Sequence, residues 1–251
     1  MKSAQIKKYG GSEVIEINQS TSEPTVSSGK VLVTIKAAGV NPADWKIREG
    51  GLQQLVLLQS PSTLGMDFSG VTKQVGEGVS PSDFKQGDEV YGQAGVINGG
   101  SGAFAEMALA NKESIAHKPK RLSHAESADL PLVGISAWQA LIEDIRLSKG
   151  QKILIHGGAG GIGSIAIQLA KNLGAYIATT VGTNDKQFVQ ELGADVVIDY
   201  KTQAFEDLLH DYDAVFDTVG GETYRRSFKV SLTMQLSYNG TLSLFVSFET
   251  S

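Results

Sequence analysis

The sequence predicts a two-domain α/β protein: a β-rich unit over residues 1–121, then a doubly wound parallel sheet over 122–251. Three observations carry this. Short alternating apolar runs punctuated by glycine, proline and serine fill the first half. Strand and helix patterns alternate through the second half. A glycine-rich loop at 157–163 joins a buried strand to an amphipathic helix. The 251 residues leave room for two modest domains, at roughly 150 residues per domain as a prior. With 41% hydrophobic and 20% charged residues, the chain can bury a core in each.

Taken in order, the stretch 31–37 sets Val31, Val33, Ile35 and Ala37 against Thr34 and Lys36, the pattern of a half-buried strand. Gly65, Gly70, Gly76, Gly87 and Gly92 mark turns or bulges around further strands at 71–75 and 89–91, which a small barrel or curled sheet accommodates. One helix interrupts them over 43–49, with Asn41 as N-cap, Pro42 at the first position and Gly50 past the end. Ser123 and Glu126 stand at capping-box spacing and open a helix leading into the second domain. Beyond it, 152–155 reads as a buried strand. Ile162, Ile165, Ala166, Leu169, Ala170 and Leu173 then recur at helical spacing on one face. Strands at 176–180, 196–199 and 214–216 alternate with helices at 186–192 and 205–209. Last comes a tail from Ser231, rich in serine and threonine, in which Asn239-Gly240 signals a turn before a strand at 241–248.

Composition narrows the function. A net charge of -5 with scattered lysines argues against a nucleic acid partner. The absence of cysteine excludes disulfides, a thiolate nucleophile and any cysteine-ligated metal. His117, His124, His156 and His210 are too dispersed for a ligand set, so no metal site is expected. Residues 1–17 alternate polar and apolar, and no run reaches the roughly 20 apolar residues that span a bilayer, so no membrane partner and a cytoplasmic location are expected.

The loop Gly157-Gly158-Ala159-Gly160-Gly161-Ile162-Gly163 contains Gly-x-Gly-x-x-Gly at Gly158, Gly160 and Gly163. Glycine at these places permits a tight turn, close approach to a pyrophosphate and close packing of helix on strand. The helix start at Gly161 and Ile162 offers free amides and partial positive charge to phosphates. This is a Rossmann dinucleotide site by its wording. An NAD site carries an acid ~20 residues further on to hold the ribose 2'-hydroxyl, but 178–183 has none. Thr180, Thr183 and Lys186 suit a 2'-phosphate instead, so NADPH is the expected cofactor, with Asp185 the residue that speaks against it.

Four ordered blocks resemble a known family. They are Gly39-Val40-Asn41-Pro42-Ala43-Asp44; Gly65-Met66-Asp67-Phe68-Ser69-Gly70 with Gly87-Asp88-Glu89-Val90; Leu130-Pro131-Leu132-Val133-Gly134-Ile135-Ser136-Ala137-Trp138; and the glycine loop continued to Gly174-Ala175. Together they resemble the medium-chain dehydrogenase/reductase superfamily, in its zinc-free quinone oxidoreductase (zeta-crystallin-like) and enone reductase branch.

The resemblance implies a GroES-like β-barrel domain followed by the Rossmann domain. In zinc-dependent relatives a cysteine and a histidine stand where this chain has Asn41 and Met66, neither of which suits zinc. By the same resemblance, Lys186 and Tyr200 surround the 2'-phosphate and Ser136 lies near the nicotinamide. Without a metal, hydride transfer to a quinone or conjugated enone needs hydrogen-bond donors at the developing oxyanion, and Asn41 and Trp45 are the catalytic candidates. His156 reads as a structural strand-end residue rather than a proton donor. An alkenal/enone reductase proper and a catalytically weak dinucleotide-binding structural or sensor protein stay open as alternatives, as does a homodimer. The resemblance stops at about Phe228, whereas relatives continue for several tens of residues. The tail therefore reads as truncated or divergent, with weak turnover, marginal stability and an exposed sheet edge as expectations.

Overall fold

The computed structural model describes residues 1–54 and 57–231, and the backbone of 235–238 and 244–247. The chain divides into two compact units, Met1–Leu132 and Val133–Ser251.

The first unit contains β1 (Ser3–Ile6), β2 (Glu16–Asn18), β3 (Lys30–Ala38), α1 (Pro42–Arg48), β4 (Ser62–Thr63), β5 (Asp67–Val75), β6 (Glu89–Gln93), β7 (Met107–Asn111), β8 (Ile115–His117) and α2 (His124–Ala128). Its strands pair antiparallel in a three-stranded sheet, β2-β1-β4, and a five-stranded sheet, β7-β3-β5-β6-β8. Register shifts on β3 at Leu32/Val33 and Ile35/Ala37 mark irregularities that bend and twist a sheet. The alternation predicted for β3 points Val31 and Val33 into a core with Phe68, Val90, Ala108 and Ala110. Leu32 is buried too, so this part of β3 is covered on both faces. At α1, Pro42 takes the first turn and the Asp44 carboxylate accepts the Asn41 N–H at 2.7 Å. At α2, the Glu126 N–H donates to Ser123 Oγ and the Ser123 N–H to Glu126 Oε2, the expected reciprocal cap.

The helix α3 (Pro131–Trp138) crosses the division between the units. It is followed by β9 (Lys152–His156), α4 (Gly161–Asn172), β10 (Tyr176–Val181), α5 (Lys186–Glu191), β11 (Val196–Asp199), α6 (Phe205–Leu208), β12 (Ala214–Asp217), α7 (Glu222–Ser227), β13 (Gln235–Tyr238) and β14 (Leu244–Ser247). The sheet order is β11-β10-β9-β12-β13-β14, parallel from β11 to β13 with β14 antiparallel. Ile153, Ile155, Ile177 and Phe216 face α4 through Ala166, Ile167 and Ala170. Leu154, Ala178, Ile198 and Val215 pack on the opposite side against Phe205, Leu209 and Tyr212. Burial on both faces is why these strands read as continuous apolar runs. The Asn239-Gly240 turn lies outside the described residues, as do the flanks of the strand expected at 241–248. No described helix is long and apolar enough to cross a membrane.

Candidate functional site

Parallel pairing sets His156 beside Thr180 and Asp217, and Val181 beside Asp199, so the carboxyl ends of β9, β10, β11 and β12 share one edge of the sheet. The chain runs outward from β9 through β10 to β11, then returns to the other side of β9 with β12. That reversal is where open α/β sheets bind ligands. The glycine loop begins there. Gly157 adopts φ +70°, a conformation that disfavours a side chain. A Cβ on Gly158 would collide with the Thr179 side chain, and one on Gly163 with the Gly157 carbonyl oxygen. Gly160 caps α4 in an extended conformation, so the first amides of α4, from Gly161 and Ile162, have no acceptor within the helix. A cavity of about 510 Å³ opens beside the loop, lined by His156, Gly157, Ala159, Gly160, Thr180, Val181, Gly182, Asp185, Tyr200, Gln203, Phe205, Val219, Thr223 and Arg226.

Hydrogen bonds fix the floor of this cavity. His156 is fully buried, with Nδ1 at 2.9 Å from Thr180 Oγ1 and Nε2 at 3.0 Å from Ser227 Oγ. Ser227 donates its hydroxyl proton to the Thr223 carbonyl at 2.7 Å, so it can only accept from His156. Nε2 therefore carries the ring proton, and Nδ1 accepts from the Thr180 hydroxyl. Burial drives the His156 pKa down to about 3, which keeps the ring neutral. Arg226 donates to both carboxylate oxygens of Glu206, at 2.7 and 2.5 Å, and lies over the Phe205 ring at 4.9 Å. Asp217 Oδ1 accepts the N–H groups of Val219 and Gly220, shaping the turn after β12.

The polar group of interest in the first unit surrounds Asp67, which is wholly buried. Its Oδ2 accepts Asn41 Nδ2 and the Leu132 N–H, each at 2.9 Å, and its Oδ1 accepts Gln93 Nε2 at 3.0 Å. Burial pushes its pKa up while the three donors pull it down. Neighbouring Asp44 is raised to about 6, chiefly by burial.

Residues 27–120 match the family model described as alcohol dehydrogenase GroES-like domain, and residues 161–245 match that described as zinc-binding dehydrogenase. A solved quinone oxidoreductase from Coxiella burnetii is 33% identical and superposes with a TM-score of 0.82, covering 92% of this chain and 72% of that one. The chain belongs to the quinone oxidoreductase branch of the medium-chain dehydrogenase/reductase superfamily. It is also 38% identical, over 88% of its length, to a 2-methylene-furan-3-one reductase of Solanum lycopersicum. Identity to an NADPH-dependent alkenal/one oxidoreductase of Arabidopsis thaliana is 36%, again over 88% of the chain. The chain spans 57% and 58% of the lengths of these two relatives.

As a member of this superfamily the chain departs from the zinc pattern. Asn41 is turned toward Asp67, and Met66 is buried in an apolar cluster with Ile6, Ile47 and Leu64. Among the described residues no cluster of histidine and carboxylate side chains could hold a metal. Of the expected site residues, Gly158, Gly160, Gly161, Ile162 and Gly163 form the loop, while Thr180 and Tyr200 line the cavity. The Thr180 hydroxyl, however, has no proton left for a phosphate. Thr183 and Lys186 are directed at Asp199, with Lys186 Nζ 3.3 Å from its Oδ2. Ser136 is buried on α3, and Val133 of the same helix stands next to Gly161. Trp45 is 46% exposed, and the Lys46 ammonium lies 5.8 Å from its ring centre.

Sequence reading missed Gln203, Thr223 and Arg226 as cavity residues: Gln203 lies in the turn after β11, and Thr223 and Arg226 sit on α7, six residues too short to display a clear period. Asp185 stands in the N-cap position of α5 and also lines the cavity, with its carboxylate 3.4 Å from where a Gly182 Cβ would lie.

Proposed function

We propose that the protein is a metal-independent, NADPH-dependent reductase that delivers hydride to quinones or conjugated enones. The observation that carries this reading is the glycine loop, placed at the strand-order reversal and opening on a cavity of about 510 Å³. The side-chain-free surface of Gly158, Gly160 and Gly163 fits a pyrophosphate, and the amides of Gly161 and Ile162 would receive it. In this reading Tyr200 and Thr180, which line the cavity, would serve the ribose end with Thr183 and Lys186 near them, and Ser136 would serve the nicotinamide. A bound nicotinamide would supply the hydride.

In the first unit, which the reading makes the substrate domain, Asn41 has two amide protons and gives one to Asp67. The second is free to meet an oxygen that gains negative charge. Trp45 offers an indole N–H for the same purpose, and solvent supplies the proton. The tomato and Arabidopsis relatives, named as enone reductases, favour enones among the acceptors, and the Coxiella quinone oxidoreductase favours quinones. A cytoplasmic enzyme, active alone or as a homodimer, completes the reading.

The test is a panel. NADPH oxidation is followed with quinones and conjugated enones, with and without a chelator. Turnover with at least one acceptor class, unchanged by chelation, is expected. Cofactor binding without oxidation across the panel would instead identify a dinucleotide-binding protein without turnover.

A further inference from the structure

The parallel register of β10 and β11 pairs Val181 with Asp199, placing Asp199 where β10 ends and where a Rossmann sheet meets the ribose of its cofactor. Asp199 is 1% exposed and its carboxylate is well furnished with donors. It takes the Thr183 hydroxyl, the Lys201 N–H at 3.1 Å and the Lys186 ammonium at 3.3 Å. Two of the groups suited to a 2'-phosphate thus already hold an anion belonging to the protein. The cavity wall displays Asp185, not Lys186 or Thr183. The cation that lines it, Arg226, is forked onto Glu206.

We infer that Asp199 is a specificity-determining residue: it occupies Thr183 and Lys186 as an internal substitute for the 2'-phosphate, so the chain discriminates only weakly between NADPH and NADH. Asp199 is fixed in place, since its backbone carbonyl also accepts the Thr202 and Gln203 amides. Lys186 is the partner able to move, with 42% of its side chain exposed. A phosphate must therefore draw the lysine away from a buried carboxylate, which offsets the affinity the phosphate adds. An unopposed charge-assisted contact is worth about tenfold to a hundredfold in affinity.

This inference rests on the dinucleotide reading, and the experiment separates the two. The whole chain is titrated with NADPH and with NADH, using nicotinamide fluorescence to obtain dissociation constants. In the parent, a preference for NADPH within about tenfold is expected, and a larger one overturns the inference. Asp199→Asn keeps an oxygen for the Lys201 N–H and removes the charge. It should tighten NADPH about tenfold while leaving NADH within about twofold, and the gain should vanish in the double variant with Lys186→Ala. Weaker or unchanged NADPH binding in Asp199→Asn would mean that the carboxylate positions the lysine instead of competing for it. A gain that survives Lys186→Ala would likewise rule out competition for the lysine. If neither dinucleotide binds to any variant, the dinucleotide reading falls and takes this inference with it. Binding with the wrong ratios removes the inference alone.

Discussion

Asp67 ties the N-cap of α1, the second residue of α3 and the end of β6 to one buried carboxylate. Asp67→Ala would leave the Asn41 amide, the Leu132 N–H and the Gln93 amide without that acceptor. A stranded buried group costs about 1–3 kcal/mol, so a loss of about 2–5 kcal/mol is expected in urea unfolding, and a loss below about 1 kcal/mol would mean the three donors find other partners. Asn41 was legible as a cap because capping is local. Its tie to Asp67, 26 residues away, was not, because that depends on how β5 is placed beside α1. Lys186 follows the same logic. Its charge is visible in the sequence, but its engagement by Asp199 appears only once the β10–β11 register is known.

The junction of β9 and α4 shows what an element asks of its glycines. A Cβ on Gly163 would meet the Gly157 carbonyl and, at 2.8 Å, the Gly158 Cα, both backbone atoms that yield only if the loop moves. Gly163→Ala should cost about 1–3 kcal/mol and weaken dinucleotide binding. Gly134 on α3 is the control: nothing lies within 4 Å of its added Cβ, so Gly134→Ala should gain about 0.5–1 kcal/mol through helix propensity. Thermal melts of the two variants check both, and equal effects would refute the packing argument. Long elements with clear periods, such as β3 and α4, could be placed from the sequence to within about two residues. The six-residue helix α7, which carries Thr223 and Arg226, holds too few residues to display a period.

Across the whole molecule, two buried groups give the pH dependence of stability opposing slopes. His156 titrates at about 3 when folded and near its ordinary 6.5 when unfolded, so between these values the unfolded chain binds the extra proton. Its contribution is lost as pH falls through that window, at up to about 1.4 kcal/mol per pH unit. Asp44 does the reverse. Raised from 3.8 to about 6, it holds its proton in the fold, and its contribution is lost as pH rises through that window. Denaturant unfolding between pH 4 and about 6.5 should therefore show a flatter acid loss for His156→Gln and a steeper one for Asp44→Asn. Parallel curves for parent and variants would contradict both assignments. The neutral ring has a further consequence. Gly157 N–H, Thr180, His156, Ser227 and the Thr223 carbonyl form a series in which every donor points the same way, so their bond dipoles add instead of cancelling. The head of that series, the Gly157 amide, is drawn inward and spent within the protein, leaving the amides of Gly161 and Ile162 as the outward-facing pole of the loop.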